Sequence, residues 1–394
     1  MITDEIRALS DLHFSRMKEV RHAIHMFPEL AYREFKTSRL VAEVLGSVGI
    51  AFQSNVASTG VVGLIPGRGA GRTVLLRADM DALPVTEETE VPYRSRIPGC
   101  MHACGHDGHV AGVLGAAMIL NDLRDRFDGN VKLAFQPAEE AEGGASRMIQ
   151  EGLLEHPAVD AAFGCHLWGS LEEGTMHICP GPMMAAVDTF LFRVHGRGGH
   201  GAMPHLSVDS VTLAAQIINF MQTIVSRRID PLEPAVLTIA SIHGGNAYNV
   251  IPEVVEVMGT IRTFNEPLRQ VILHEMESIL KSVTEAQGAS YSFERVTSYP
   301  AVRNDPGMTE VLSGAFRKVL GEARVDTHMA PIMVSEDFSY FTQAVPSAFA
   351  FVGIAKDLDC PINQHHPKFQ WDDGNIAILA QGLAQTALDF LGCR

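Results

Sequence analysis

An α/β fold carrying a second, inserted α+β domain is predicted by three observations. Short apolar runs that end in Asp, Glu or His alternate with helical patterns over the first half of the chain, the texture changes near residue 185, and the first texture returns near residue 299. Alternation of this kind reads as βαβ units around a mostly parallel mixed sheet with flanking helices. The predicted division is 1–184 with 299–394 for the discontinuous domain and 185–298 for the insertion. A chain of 394 residues is long enough to bury two separate cores.

Residues 73–79, 131–136 and 161–166 are short runs bounded by Gly or Asp and are predicted strands; between them 107–123 reads as a helix with an acidic cap, and 144–152 as another. Within the insertion, 187–196 reads as a strand, 207–226 as a helix, 234–243 and 253–264 as strands, 267–287 as a helix and 290–297 as a strand. Four strands and two helices in this order make a compact α+β unit. Beyond residue 302 the predictions are a helix near 307–320, an apolar strand at 347–353 and a closing helix over 373–391.

Composition narrows the function. Charged residues make up 20% of the chain and hydrophobic ones 46%, a globular profile, and a formal net charge of -15 argues against nucleic acid or an anionic membrane as partner, since either needs a basic face. The six cysteines show no framework spacing, and the N-terminus carries acids where a signal peptide has bases. The expected compartment is therefore reducing, the cytoplasm. The apolar run 110–120 is too short to span a bilayer.

The densest chemistry lies in Cys100-Met-His-Ala-Cys104-Gly-His106-Asp-Gly-His109 and, downstream, Glu139-Glu140. Thiolate, imidazole and carboxylate together suit a borderline-soft divalent metal. Structural zinc sites close their ligands locally, whereas these are scattered, which suggests an open hydrolytic site. Adjacent glutamates are ordinarily a solvated surface pair, but here an apolar strand and Gln136-Pro137 precede them and Gly143-Gly144 follows. One can hold metal while its neighbour shuttles a proton. Asp79, Asp81, Glu139, Glu140 and His166 all fall where predicted strands end, the customary location of sites in open α/β sheets. Asp79-Met-Asp81 also suits a simple turn, and His109, one helical turn beyond His106, reads as structural.

Arg77-Ala-Asp79-Met-Asp81-Ala-Leu-Pro84, Met101 to His109, Gln136-Pro-Ala-Glu139-Glu140, Gly199-His200-Gly-Ala-Met-Pro204-His205, Gly244 to Pro252 and Ser335-Glu336-Asp337-Phe338 together resemble the M20 metallopeptidase family. Within it they are most similar to the amidohydrolase subfamily of hippurate hydrolases, N-acyl-amino-acid amidohydrolases and auxin-conjugate hydrolases. The resemblance runs from about His22 to the C-terminus. It implies a catalytic domain with two divalent metal ions per subunit, Zn²⁺ or Mn²⁺ first, with Co²⁺ and Ni²⁺ compatible. The implied ligands are Cys104, His106, Glu140, His166 and His365, with Glu139 as general base and acid and Asp81 behind the ligands. His365 is preferred to His366 because the family pattern is His-x-Pro.

The resemblance also implies that the insertion is a lid and dimerisation domain. His200 resembles the residue that stabilises the developing oxyanion, and Asn249 and Arg262 resemble contacts to a substrate carboxylate. The expected protein is a homodimeric, metal-dependent amidohydrolase of small N-acyl amino acids. Its rivals are a dipeptidase or carboxypeptidase using the same centre, and a non-catalytic metal-binding scaffold.

Overall fold

The computed structural model describes residues 2–141 and 143–393, so the outermost expected domain ends, Met1 and Arg394, lie outside the described residues. The chain forms two compact units: Met1–Met183 with Arg303–Ala330 and Asp337–Arg394, and Met184–Val302 with Pro331–Glu336. Residues 331–336 thus return to the second unit, a crossing that local sequence pattern does not signal.

The first unit is built on an eight-stranded sheet in the spatial order Ala51–Val56, Gly60–Pro66, Asn130–Gln136, Thr73–Asp79, Ala161–Glu172, Ser347–Ala355, Met176–His177 and Val325–Asp326. Its four central strands run parallel, and antiparallel pairing is confined to the flanks. The mixed α/β class predicted from sequence is the class observed. Thr73–Asp79 and Ser347–Ala355 are buried along their whole length, as central parallel strands covered on both faces must be. The chain leaves Thr73–Asp79, passes through helix His106–Asp122 to one neighbour, then returns to Ala161–Glu172 on the other side. The strand order reverses there, which opens a crevice at the carboxyl ends of these strands.

Helix His106–Asp122 is apolar all round, and all but its last two residues are buried, because Ile2–Met26 and Gly374–Leu391 pack against it. The expected acidic cap is corrected: the helix is entered from Gly105 in the left-handed conformation (φ 95°), and Asp107 lies in the first turn. Its carboxylate instead accepts hydrogen bonds from Arg21 (3.1 Å) and His25 (2.9 Å). Helix 144–152 ends earlier, at Gln150, and the strand expected over 161–166 runs on to Glu172.

The second unit has a four-stranded antiparallel sheet in the order Ala235–His243, Val254–Thr263, Ala186–His195 and Ser290–Tyr299. Helices Ser210–Arg228 and Glu266–Ala286 close its core with Leu213, Ile217, Met221, Ile272, Met276 and Leu280 against Phe190, Phe192, Val257 and Ile261. The first of these helices starts three residues later than 207–226 suggests, because Asp209 caps it by accepting the amides of Val211 and Thr212.

Under that sheet Arg269 makes a two-pronged pair with the buried Asp188, at 2.6 and 2.9 Å, and also bonds Ser298. Removing one partner of a buried pair strands the other charge. Asp188→Ala is therefore expected to destabilise this unit by about 3–5 kcal/mol, read as a lowered urea midpoint in the unfolding of this unit. An unchanged midpoint would show that water reaches Arg269 after the substitution.

Candidate metal and hydrolytic site

The site is assembled by backbone links between distant segments. Leu83 and Met101 exchange amide hydrogen bonds (both 3.0 Å), and His365 N–H donates to the carbonyl of Ala103 (2.7 Å). Gly105 then turns the chain so that Cys104 and His106, on either side of it, enter the same crevice. A residue with a Cβ would be strained at that φ.

Each histidine's free nitrogen follows from what its other nitrogen does. His106 donates Nδ1–H to the carbonyl of Asp81 (2.9 Å), which leaves Nε2 buried with no hydrogen-bond partner. His166 donates Nδ1–H to the carbonyl of Leu167 (2.6 Å), and its Nε2 lies 3.3 Å from the sulfur of Cys104. His365 places Nε2 3.1 Å from Oε1 of Glu140. The neighbouring His366 accepts the amide of Lys368 at its Nδ1 (3.0 Å) in a local turn and joins none of the donor groups among the described residues. A backbone carbonyl thus fixes the tautomer and aim of His106 and of His166, the usual support for ligating imidazoles.

Among the described residues five overlapping donor groups have their atoms within 4.8 Å of one another: Cys104, His106 and His166; Cys104, Glu140 and His365; His106, Glu139 and Glu140; Asp79, His106 and His109; Glu139, Glu336 and Asp337. Sulfur, nitrogen and oxygen donors sharing members in this way suit divalent metal, and the buried Nε2 of His106, which has no hydrogen-bond partner, is a position a cation would satisfy. The electrostatics agree. Burial opposes a charge on His106, yet the carboxylates of Asp79, Asp81 and Glu140 raise it to about 10, a field that favours a cation at that position. Burial and the charges of Glu140 and Glu139 push the Cys104 thiol well above its ordinary range, so the thiolate is stable only opposite a positive ion. Burial would raise Glu140 too, but the imidazole of His365 beside it and the charge of His106 hold it below the usual carboxylate range.

Asp81 lies behind His106, with Oδ1 3.5 Å from its Nδ1. Its two oxygens accept the backbone N–H groups of Glu139 and Glu140, both at 3.0 Å, so it clamps the turn that presents the glutamate pair. That turn is closed by Gly144, where a Cβ would lie 1.8 Å from the carbonyl oxygen of Pro137. Glu139 is buried, and its Oε1 receives the N–H of Asp337 at 3.4 Å.

Asp79 and His109 form a separate structural pair. His109 Nδ1–H donates to Asp79 Oδ1 (2.6 Å), and its Nε2 accepts the amide of Leu167 (3.0 Å), so neither nitrogen is free for metal. Asp79 Oδ2 is held by Arg77 (2.7 Å), and Arg77 also reaches Asp337 (2.8 Å) and Gln136 (2.8 Å). Burial would raise Asp79, but His106, Arg77 and His109 hold it well below the usual range. Sequence reasoning left the role of Asp79 open and assigned none to Arg77 or Asp337. The signal was an arginine inside an otherwise apolar strand, which must be paired there.

Seven of the expected site residues, Asp81, Cys104, His106, Glu139, Glu140, His166 and His365, come together in the first unit. His200, Asn249 and Arg262 belong to the second. His200 lies on a two-residue strand paired with Val250–Ile251, is exposed, and accepts the amide of Ala202 at Nδ1 (3.1 Å); the carbonyl of Asn249 takes the N–H of Gly201 (2.8 Å). Arg262 is half-buried on strand Val254–Thr263, where it donates to Thr260 and to the carbonyl of Ile261 (3.1 Å), with no carboxylate in ion-pair range among the described residues.

Residues 75–389 match the model of peptidase family M20/M25/M40, a span that contains every donor named above. An N-acyl-L-amino acid amidohydrolase of Geobacillus stearothermophilus is 46% identical over 78% of this chain and 83% of its own length. Thermostable carboxypeptidase 1 of Saccharolobus solfataricus is 39% identical over 94% of each chain. Among solved structures, the Bacillus subtilis YXEP protein, described as a dinuclear metal-binding peptidase from the M20 family, superposes with a TM-score of 0.82 at 31% identity, covering 97% of this chain and 99% of that one. Donor set, fold and sequence agree, and the chain belongs to peptidase family M20/M25/M40.

Proposed function

We propose that the protein hydrolyses the amide bond of small N-acyl amino acids, giving a carboxylic acid and a free amino acid. The observation that carries the proposal is the convergence of Cys104, His106, Glu140, His166 and His365 on one crevice beside a second buried carboxylate, Glu139. The five converging residues would hold two divalent ions, Zn²⁺ or Mn²⁺ first, with Co²⁺ and Ni²⁺ compatible with the same donors. When bound, such ions acidify water and polarise the scissile carbonyl.

The chain supplies the rest. Glu139 takes a proton from the attacking water and delivers it to the leaving nitrogen, so one carboxylate serves both halves of the reaction. Asp81 keeps both glutamates aimed by holding their amides. His200 stabilises the oxyanion, and Asn249 and Arg262 hold the substrate carboxylate; Arg262, free of acidic partners among the described residues, explains how a chain of net charge -15 accepts an anion. We assign the working form to a homodimer in the cytoplasm. No helix among the described residues is long and apolar enough to cross a membrane.

Substrate class is decided by release of amino acid from N-acetyl, N-benzoyl and long-chain acyl amino acids set beside dipeptides. The expected result is turnover of acyl amino acids at least about 10-fold above dipeptides in kcat/KM, because a free α-amine needs a polar pocket that an acyl chain does not. Dipeptide turnover alone would assign the centre to peptidase chemistry.

A further inference from the structure

Three consecutive backbone amides carry the glutamate pair, and two buried carboxylates from distant parts of the chain take all three. Asp81 accepts from Glu139 and Glu140, as described, while the N–H of Ala138 donates to Oε1 of Glu34 at 2.9 Å. Ala138 has φ 55°, the left-handed region, which a residue with a Cβ occupies only where its surroundings hold it. Glu34 is fully buried. Its Oε1 also accepts the amide of Tyr32 (3.0 Å), and its Oε2 accepts the hydroxyl of Thr59 (2.6 Å). It joins none of the metal-donor groups among the described residues. The same N-terminal segment meets the Asp81 side of the clamp, because the carbonyl of Glu29 takes the N–H of Ala82 (2.8 Å) and Leu30 bridges Ala82.

We propose that Glu34 is a positioning residue for amide hydrolysis, holding Ala138 left-handed so that Glu139 and Glu140 are both aimed into the crevice. The inference rests on the roles proposed above for those two glutamates. A rotation at Ala138 swings the residues immediately after it, and a displacement on the order of 1 Å at the reacting groups costs about 10²-fold in rate. The work is done by hydrogen-bond acceptors and not by charge. Glutamine can keep Oε1 on the amides of Tyr32 and Ala138 and turn its own N–H toward Thr59, whose hydroxyl rotates to accept. Alanine removes every acceptor, and aspartate, one methylene shorter, draws the carboxylate back from Ala138.

The test compares Glu34→Ala, Glu34→Asp and Glu34→Gln in the full-length, metal-loaded protein. Its readouts are kcat and KM on an acyl amino acid and amide hydrogen exchange over residues 137–141. The alanine and aspartate variants are expected to lose about 100-fold in kcat with KM within about threefold and with faster exchange of the Ala138 amide, while glutamine stays within about threefold of the parent on every readout. Should the alanine variant fail to fold, the aspartate variant carries the same expectation. Parent-like kcat and exchange in a folded alanine or aspartate variant would overturn the inference, and so would a glutamine variant as slow as alanine. A parent protein that releases no amino acid from any substrate overturns the proposed function instead, and the exchange comparison then still decides whether Glu34 holds Ala138.

Discussion

Replacing Glu139 with alanine is expected to lower kcat by about 10³-fold while leaving bound metal and KM within about threefold of the parent protein. The size follows from the division of labour at the site. On the proposed roles five other side chains, Cys104, His106, Glu140, His166 and His365, would hold the metal, so loss of Glu139 should leave the centre assembled while both proton transfers lose their carrier. A factor of 10³ corresponds to about 4 kcal/mol of barrier, within the range for general acid–base catalysis. Glu139→Gln should lose nearly as much, because it keeps the shape and the contact with the Asp337 amide but has no basic oxygen. Elemental analysis and steady-state kinetics on the same preparation decide the point. An alanine variant that keeps a tenth of its activity would remove Glu139 from the proton path, and one that loses its metal would make it a ligand.

The second large effect is at Cys104. Its sulfur is buried 3.3 Å from His166 Nε2, in the field of Glu139 and Glu140, where the thiol holds its proton far above the ordinary range. On the proposed ligand roles, metal binding expels that proton and a second one from His106, which is raised to about 10, so apparent affinity is expected to strengthen as pH rises. Substitutions of residues that merely support ligands cost about 10–100-fold in affinity, so Cys104→Ala, which would remove a proposed ligand, should exceed about 100-fold. It should also flatten the dependence on pH. Metal content after equilibration in metal buffers at several pH values measures both, and an unchanged content with an unchanged slope would show that the thiol takes no part.

The site was legible in sequence where its chemistry is local. Cys104 and His106 straddle one glycine, Glu139 and Glu140 are adjacent, and Asp79 ends its strand, so residue type and position carried the signal together, whereas His166, expected at a strand end, lies within Ala161–Glu172. What long-range partners decide was not legible. Asp107 follows the rule for an acid at a helix start, yet Arg21 and His25, from a different helix, claim its carboxylate. Helix Ile2–Met26 escaped prediction for a related reason: its buried face mixes Ile6, Met17, Val20 and Ile24 with Arg21 and His25, and the polar pair blunts the apolar stripe. Asp81 could be placed behind the ligands, but not on the amides of Glu139 and Glu140, because that contact joins two strand ends 58 and 59 residues apart. His365 sets Nε2 3.1 Å from Glu140, whereas His366 turns to the amide of Lys368, a difference that their adjacency in sequence does not signal.

A metal-dependent centre acting on an acyl amino acid is tested most directly by amino-acid release from chelator-treated protein as Zn²⁺, Mn²⁺ or Co²⁺ is returned in measured equivalents. Activity is expected to be lost on chelation with the fold retained, and to recover to a level reached at two equivalents per chain. Full activity in metal-free protein would contradict a metal-dependent mechanism.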